Sequence, residues 1–238
     1  MTDIDTSRDT GRPDTKPSTE GRDPVPAVVD WLLGIVAGAF GLVLTAVGIG
    51  LYTRVDRTLI AAFLTAESTE VNGLTTAEAI AAGVPFVNWF SVGIAVTGVG
   101  LVVAAVHFVR TRRQTRHRVA SEGGTTATFW ASTVYGIAVT ALVSFVPGAG
   151  IIGGGLAAYL QESGSGTRIG AAVGLVGWVL TAPLLVFLTV GLLAGANAID
   201  MLAGGAFLAG IVVVSELLAL AINVVTGALG GYLADRFL

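Results

Sequence analysis

The chain is 238 residues long, 53% hydrophobic and only 12% charged, with a formal net charge of −3. Soluble domains carry about 25% charged residues, so this composition excludes a large water-soluble core and indicates an integral membrane protein. The absence of cysteine excludes disulfides, thiol catalysis and zinc–thiolate sites, and the two histidines, His107 and His117, do not suggest a metal site.

The first predicted element is a polar tail, residues 1–26. Its first 24 residues hold six acidic and four basic side chains and are rich in Asp, Thr, Pro and Gly. Such a segment buries too little apolar area to offset the entropy of ordering, so we predict a disordered acidic tail on the cytoplasmic side. An apolar span at 27–52 follows directly, which favours an uncleaved membrane anchor over a cleaved signal peptide.

Residues 27–118 are predicted to form a two-span transmembrane hairpin, with the second span at 85–109. The connecting loop, residues 53–84, has some helical character. In DRTLIAAFL (56–64) four apolar side chains share one helical face, which predicts a short helix on the membrane surface. TTAE at 75–78 matches a capping box, which predicts a helix start. The alternative is a ligand-binding ectodomain, for which so short a loop buries little core.

The segment RTRRQTRHR at 110–118 holds five arginines and no acidic residue. A basic cluster next to a span marks the cytoplasmic side, so we predict a cytoplasmic basic loop, a cytoplasmic amino terminus and an extracellular 53–84 loop. The alternative is a site for anionic lipid headgroups or nucleic acid. No aromatic residues interleave the arginines, so nucleic acid is not an expected partner. This topology signal comprises Arg110, Arg112, Arg113, Arg116 and Arg118.

Residues 119–238 are predicted to form a glycine-rich transmembrane domain. Its apolar stretches predict spans at 126–146 and 169–194, whereas the last stretch, 201–238, is too long for one simple crossing. The expected fold is therefore an all-α, polytopic transmembrane helical bundle of six or seven helices, with the lipid bilayer as its surroundings.

The segment at 148–160 is predicted to be a short helix, because Pro147-Gly148 interrupts the preceding span. At helical rise it is only roughly 20 Å long. It therefore either crosses a locally thin part of the membrane or is re-entrant. Irregular backbone at that depth is tolerated only where protein or a water-filled cavity covers it.

Small residues recur about one turn apart within the spans. Close packing drives helix association in lipid, and small side chains allow two backbones to approach. We therefore predict a tight hairpin between the first two spans and glycine-lined contacts in the second half, and the same faces offer a route to a homo-oligomer. The predicted packing residues are Gly34, Gly38, Gly41, Gly93, Gly100, Gly150, Gly154, Gly170, Gly174, Gly177, Gly227 and Gly231.

An internal repeat is indicated by two glycine-rich segments. GIIGGGLAAYLQE at 150–162 aligns with NVVTGALGGYLAD at 223–235 at a constant offset of 73 residues. We interpret them as two related units, each a full span followed by a short glycine-rich helix. If both short helices cross, the units are inverted, as in many transporters. The alternative is a duplicated packing hairpin without a transport role.

Glu216 is the one acidic residue well inside a predicted span. Burying it charged costs roughly 2.5–3.5 kcal/mol on insertion scales, so we predict that it is protonated or paired. Asn223 lies on nearly the same helix face, and Ser215 is adjacent. The three form a candidate intramembrane polar site that lines a proton or cation path or, alternatively, fixes helix register. Asp30 is interpreted as a helix-start residue.

No pattern in the sequence supports catalysis. It contains no Ser/His/Asp set, paired carboxylates or HExxH motif, so we expect neither an enzyme nor a bound cofactor. GSGTRIGAAVG at 164–174 lacks the GKS/T ending of a nucleotide loop and follows no predicted strand, so that interpretation is rejected.

The pattern VPGAGIIGGGLAAYLQ followed by GTRIGAAVGLVG resembles a DUF5518-like family of haloarchaeal membrane proteins of unknown function, over roughly residues 127–238. The avoidance of lysine, of which Lys16 is the single example, also resembles haloarchaeal proteins. The leading half resembles two-span modules of such membrane proteins. The resemblance implies no activity and no functional residue.

Three functions are compatible with this sequence. The first is a non-enzymatic structural or accessory protein of the cell membrane. The second is a small-solute or ion permeation protein, and the third is an envelope sensor that uses the 53–84 loop.

Overall fold

The described chain folds into a bundle of α-helices. The structure is a computed structural model that describes residues 25–66, 73–161 and 164–237. Regular structure in these residues is helical throughout, as predicted. The helices are α1 Ala27–Arg54, α2 Arg57–Ala66, α3 Thr76–Glu122, α4 Phe129–Leu142, α5 Ala149–Tyr159, α6 Gly166–Asn197 and α7 Leu202–Phe237.

Four of these helices, α1, α3, α6 and α7, are long and apolar enough to cross a membrane. Even the shortest, α1, measures roughly 42 Å at 1.5 Å per residue, against a hydrocarbon core of about 30 Å. Large apolar side chains on their outer faces, such as Phe40 and Val225, are exposed, as lipid contact requires. The chain therefore has the character of a multi-pass membrane protein, which agrees in outline with the sequence prediction.

The predicted tail, residues 1–26, lies almost entirely outside the described residues. Its last two residues belong to the bundle. Val25 is buried, and Pro26 immediately precedes α1. Val25 and Pro26 therefore belong to the helical part of the chain rather than to the predicted tail.

Helix α3 corrects a predicted boundary. It begins at Thr76, as the predicted capping box indicates, and includes Pro85 within the helix. It continues to Glu122, so the basic segment 110–118 is helical rather than a loop. The start is fixed by the predicted capping box. The Thr75 backbone N–H donates to Glu78 Oε2 at 2.8 Å, and the Glu78 N–H donates to Thr75 Oγ1 at 3.3 Å.

Helix α2 is the short amphipathic helix that the sequence predicts between the first two long helices. Asp56 precedes it, and its carboxylate accepts the Leu59 backbone N–H at 2.9 Å. This hydrogen bond favours the charged carboxylate and lowers the pKa of Asp56 below its ordinary value.

Helices α4 and α5 form a half-length hairpin, which corrects the predicted full span at 126–146. Helix α4 has 14 residues, or roughly 21 Å, and the chain turns back at Gly148, whose φ is 87°. Gly153 of α5 lies against Thr140 and Gly136 of α4, and Ala157 lies against Gly136, so the two helices are antiparallel. The interruption at Pro147-Gly148 is therefore a turn between neighbouring helices.

The hairpin reaches only part of the way along the bundle. Gly136 lies beside Val173 of α6, and Ile137 lies near Gly177, so α4 and α6 run in the same direction. Extending this register places Leu142 level with the middle of α6. Phe145, at the tip, is 82% exposed. The geometry is that of a hairpin that enters and leaves at one end of the bundle.

Helix α7 is continuous and contains the second glycine-rich segment, so the predicted second short helix is wrong. The positions equivalent to Pro147 and Gly148 are Leu220 and Ala221, which favour helix. The inverted arrangement is also absent from the described helices. Because α7 is antiparallel to α6 and α5 is antiparallel to α4, α5 and α7 run in the same direction. The repeat itself stays a prediction.

The α1–α3 contact uses the predicted glycines of α1 but a different face of α3. Gly34, Gly41 and Gly48 of α1 approach Val109, Gly98 and Ala95, and Gly38 makes an ordinary contact with Ala105. Gly93 instead packs on Phe187 of α6, and Gly100 has open space beside it. Gly98 and Gly100 point in nearly opposite directions because two residues turn a helix by about 200°. Gly98, absent from the predicted stripe, makes the close approach.

The C-terminal part of α7 packs between α5 and α6. Gly227 meets the backbone of both Gly154 and Gly170. Gly231 meets Gly166, Gly174 meets Asn223, and Gly150 approaches Thr226. Gly177 makes no close approach, since a Cβ there would lie 3.9 Å from Ile137. The predicted small residues thus bring three helices to backbone contact at one crossing.

Candidate functional site

A buried centre of charged residues joins α1, α3 and α4. Its middle is Asp30, which lies in the first turn of α1 and is only 4% exposed. An ionised carboxylate in such a position requires compensating charge and hydrogen bonds. Two arginines of α3 and one tyrosine of α4 supply them. We call Asp30, Arg112, Arg116 and Tyr135 the Asp30 centre.

Arg112 is buried with Asp30, and 4% of it is exposed. Its Nε lies 3.2 Å from both carboxylate oxygens. Its Nη1 donates to the carbonyl oxygen of Thr126 at 2.6 Å, in the segment between α3 and α4. One guanidinium therefore holds the start of α1 and the entry to α4 together.

Arg116 lies one turn further along α3. Its Nε and Nη2 donate to Asp30 Oδ2 at 2.9 and 2.6 Å. Nη2 also donates to the Val25 carbonyl oxygen at 2.8 Å, just before α1. Both arginines fall on one face of α3 because they are four residues apart.

Tyr135 completes the centre from α4. Its hydroxyl donates to Asp30 Oδ1, and its ring packs edge-on against Phe108. The Arg112 guanidinium lies 5.9 Å from the ring centroid. Because the carboxylate accepts from three side chains, its hydrogen-bonding capacity is largely used within the protein. The arrangement is suited to fixing helices rather than to receiving a substrate.

The sequence indicated only part of this centre. The five arginines were predicted as a topology signal, yet Arg112 and Arg116 point inward, whereas Arg110, Arg113 and Arg118 are exposed. Arg113 instead lies over the Trp31 ring, 4.6 Å from its centroid. Asp30 does lie at a helix start, but that interpretation missed its two ion pairs. The sequence feature that could have indicated this centre is a pair of arginines four residues apart together with a single aspartate in an apolar span.

No hydrogen bond or ion pair of the described residues joins Ser215, Glu216 and Asn223. Ser215 and Asn223 are exposed, and Glu216 is half-buried. The α6–α7 register through Gly170 and Gly227, extended along both helices, brings Glu216 level with Thr181. Glu216 also lies close to three full turns before Gly227, which faces Gly170, so it lies on the same side of α7.

Asp235 has a structural role that sequence reasoning missed. Its Oδ2 accepts the backbone N–H of Gly166 at 2.7 Å, and so caps the start of α6 from the end of α7. The local N-cap, Ser165, makes no side-chain cap. Glu162, which the repeat pairs with Asp235, lies outside the described residues.

An apolar cavity of about 940 Å³ lies at the opposite end of the bundle from the Asp30 centre. It is an open pocket that is bordered by the end of α1, by α2, by the start of α3, by the end of α6 and by the start of α7. A second, shallow hollow of about 520 Å³ lies along α7 and includes Ser215. Neither is lined by Glu216 or Asn223.

A metal centre is not formed within residues 25–66, 73–161 and 164–237, where no group of three or more metal-ligating side chains occurs. Comparison with known protein families, with curated proteins and with solved structures finds no match. Function must therefore be argued from the helices, the Asp30 centre and the cavities.

Proposed function

We propose that the chain is a non-enzymatic structural or accessory protein of the cell membrane. The observation that carries the proposal is the Asp30 centre. There, three charged side chains and a tyrosine join α1, α3 and α4, and they bond to one another and to backbone carbonyls. Because these side chains already bond to one another and to the backbone, they stabilise the helix bundle, and few of their donors and acceptors are free to bind a substrate.

We propose a cytoplasmic amino terminus, on the positive-inside rule. The end of α3 carries the basic segment 110–118, and the same end of the bundle carries Arg168 and Arg236. The other end carries Arg54 and Arg57. The excess of arginine supports assignment of the first end to the cytoplasm.

A permeation protein is the second candidate, and the α4–α5 hairpin favours it. Hairpins that turn back within the membrane occur in channels and transporters, where they line a path. Glu216 supplies one titratable group on α7. The two cavities above do not reach Glu216, which favours the structural proposal.

Flux measurements in proteoliposomes separate the two candidates. We expect the reconstituted full chain to pass protons, Na⁺, K⁺, Cl⁻ and small neutral solutes no faster than protein-free liposomes. A flux above that background that Glu216→Gln abolishes, and that Glu122→Gln on the exposed end of α3 does not, would replace the structural proposal with the permeation one.

Homo-oligomerisation and membership of the DUF5518-like haloarchaeal family are further proposals. The glycines that approach another backbone do so within one chain, so an oligomer would need other faces. Gly100 and Gly210, which have open space beside them, lie on such faces. Analytical ultracentrifugation in detergent would measure the association.

A further inference from the structure

The apolar cavity is an open pocket between several helices. Its volume, about 940 Å³, is at the upper end of the roughly 300–1,000 Å³ typical of ligand pockets. Five helices contribute its walls, namely α1, α2, α3, the end of α6 and the start of α7. Its lining includes Leu59, Phe63, Phe86, Leu192, Met201 and Phe207, and no charged side chain.

The position of the cavity indicates the chemistry of its occupant. It lies where α1 ends and α7 begins, at one end of four helices that are apolar enough to cross a membrane. A hydrocarbon chain loses no hydration on entering such a pocket from the bilayer, and it gains contacts along apolar walls. Water or an ion would find no polar partner there.

Two arginines lie at the rim. Arg54 ends α1, one turn beyond Leu51, and Arg57 begins α2, one turn before Ile60. Leu51 and Ile60 line the cavity, and residues three apart lie on the same face of a helix. Arg54 and Arg57 therefore lie next to the cavity, on the helix faces that line it. In the described part of the chain, no ion pair or hydrogen bond engages either guanidinium.

The local structure does not account for Arg57. A cation in the first turn of a helix is disfavoured by the helix dipole, whereas a nearby anion is favoured. Three acids of the described residues lie near the rim. Asp56 and Glu78 accept backbone hydrogen bonds at the starts of α2 and α3, and Asp200 lies in the α6–α7 turn. On the arginine side of the mouth, Arg54 and Arg57 outnumber the charged Asp56 between them, so this side suits a phosphate.

We propose that this cavity binds an acyl chain of an anionic phospholipid, whose phosphate is held by Arg54 and Arg57. The site combines an apolar pocket for the chain with two arginines at its rim that form no ion pair with any residue in the described ranges. It would make the protein a lipid-binding membrane component. Lipid binding does not depend on whether the protein transports solutes. The flux experiment therefore tests the structural function, and the lipid experiment tests the binding site, independently of each other.

Photo-crosslinking of the wild-type chain tests the proposal directly. The full chain is reconstituted in nanodiscs with a small fraction of diazirine-labelled phosphatidylglycerol or, separately, phosphatidylcholine with the same acyl chains. We expect phosphatidylglycerol to label peptides from residues 57–64 and 199–208. Unlabelled phosphatidylglycerol should compete more strongly than unlabelled phosphatidylcholine.

Matched variants test the pocket and the rim. Gly204 lines the cavity and has open space beside it, so Gly204→Phe should fill the cavity and abolish the labelling. Gly210→Phe, on the same helix and also facing open space, should leave the labelling unchanged. Arg54→Gln and Arg57→Gln should each weaken the preference for phosphatidylglycerol by about fivefold, because one basic contact is worth about 1 kcal/mol.

Several outcomes would overturn the proposal. Equal labelling by the two lipids would refute the phosphate site. Labelling spread evenly over the outer helix faces would refute acyl-chain binding in the pocket. Chain-to-chain crosslinks at residues 57–64, without lipid labelling there, would assign the cavity to a second copy. Because the labelling pattern is measured on the wild-type chain, it remains decisive if Gly204→Phe fails to fold.

Discussion

The carboxylate of Asp30, in the first turn of α1, is held by the guanidinium of Arg112, which lies 82 residues later on α3. The pair is buried, and Arg116 and Tyr135 share the same carboxylate. This contact fixes the register of α1 against α3 at the basic end of the bundle. The glycine contacts then determine how closely the two helices approach.

Asp30→Ala should destabilise the protein by about 3–5 kcal/mol, because it leaves the buried Arg112 without its counter-charge. Unfolding by SDS in mixed micelles measures the change. Arg110→Gln is the control, since Arg110 is exposed on the same helix and should change stability little. Asp30→Leu combined with Arg112→Met should cost less than the sum of the single changes. Equal stability of Asp30→Ala and wild type would contradict a structural role for the centre.

Gly227→Ala should cost about 1–3 kcal/mol or more, because the new methyl group would overlap the Gly170 carbonyl oxygen on α6. The same unfolding measurement applies. Gly210→Ala is the matched control on α7, where open space and better helix propensity predict no loss, or a gain of up to about 1 kcal/mol. If both variants lost stability equally, the close approach at Gly227 would be refuted.

Asp56 should titrate below its ordinary pKa of 3.8, because the Leu59 backbone N–H donates to its carboxylate. A group whose folded pKa is lowered adds stability above its unfolded pKa and loses that contribution as the pH falls through the folded value. The start of α2 should therefore stay capped at neutral pH and loosen in strong acid. The Leu59 amide resonance in an NMR titration reports the midpoint, and Asp56→Asn should remove the titration. A midpoint above 3.8 would be inconsistent with the cap.

Local patterns predicted much of the fold, whereas contacts between distant segments did not emerge from the sequence. Apolar runs indicated the long helices, and the Thr75–Glu78 spacing indicated the start of α3. Asp30 and Tyr135 are 105 residues apart, and neither has a local pattern that indicates the other. Gly98 was missed because the predicted packing residues of this helix, Gly93 and Gly100, lie on a different face of α3.

The α4–α5 hairpin shows the same limit. Its residues are as apolar as those of a full span, so composition predicted a crossing. The turn depends on Pro147-Gly148, and its depth depends on packing against α6. Sequence alone left both a thin crossing and a re-entrant path open for the segment after this turn.

Accessibility of single introduced cysteines tests the membrane arrangement most directly, because the chain has no native cysteine. Thr53→Cys and Ser165→Cys lie at opposite ends of the bundle, and Ser144→Cys lies at the hairpin tip. With a membrane-impermeant maleimide on oriented vesicles, we expect Thr53→Cys to react only from outside and Ser165→Cys only from inside. Ser144→Cys should react from neither side until detergent is added. Reaction of Ser144→Cys from the outside would contradict the half-length hairpin, and reaction of all three from one side would contradict the membrane-spanning bundle.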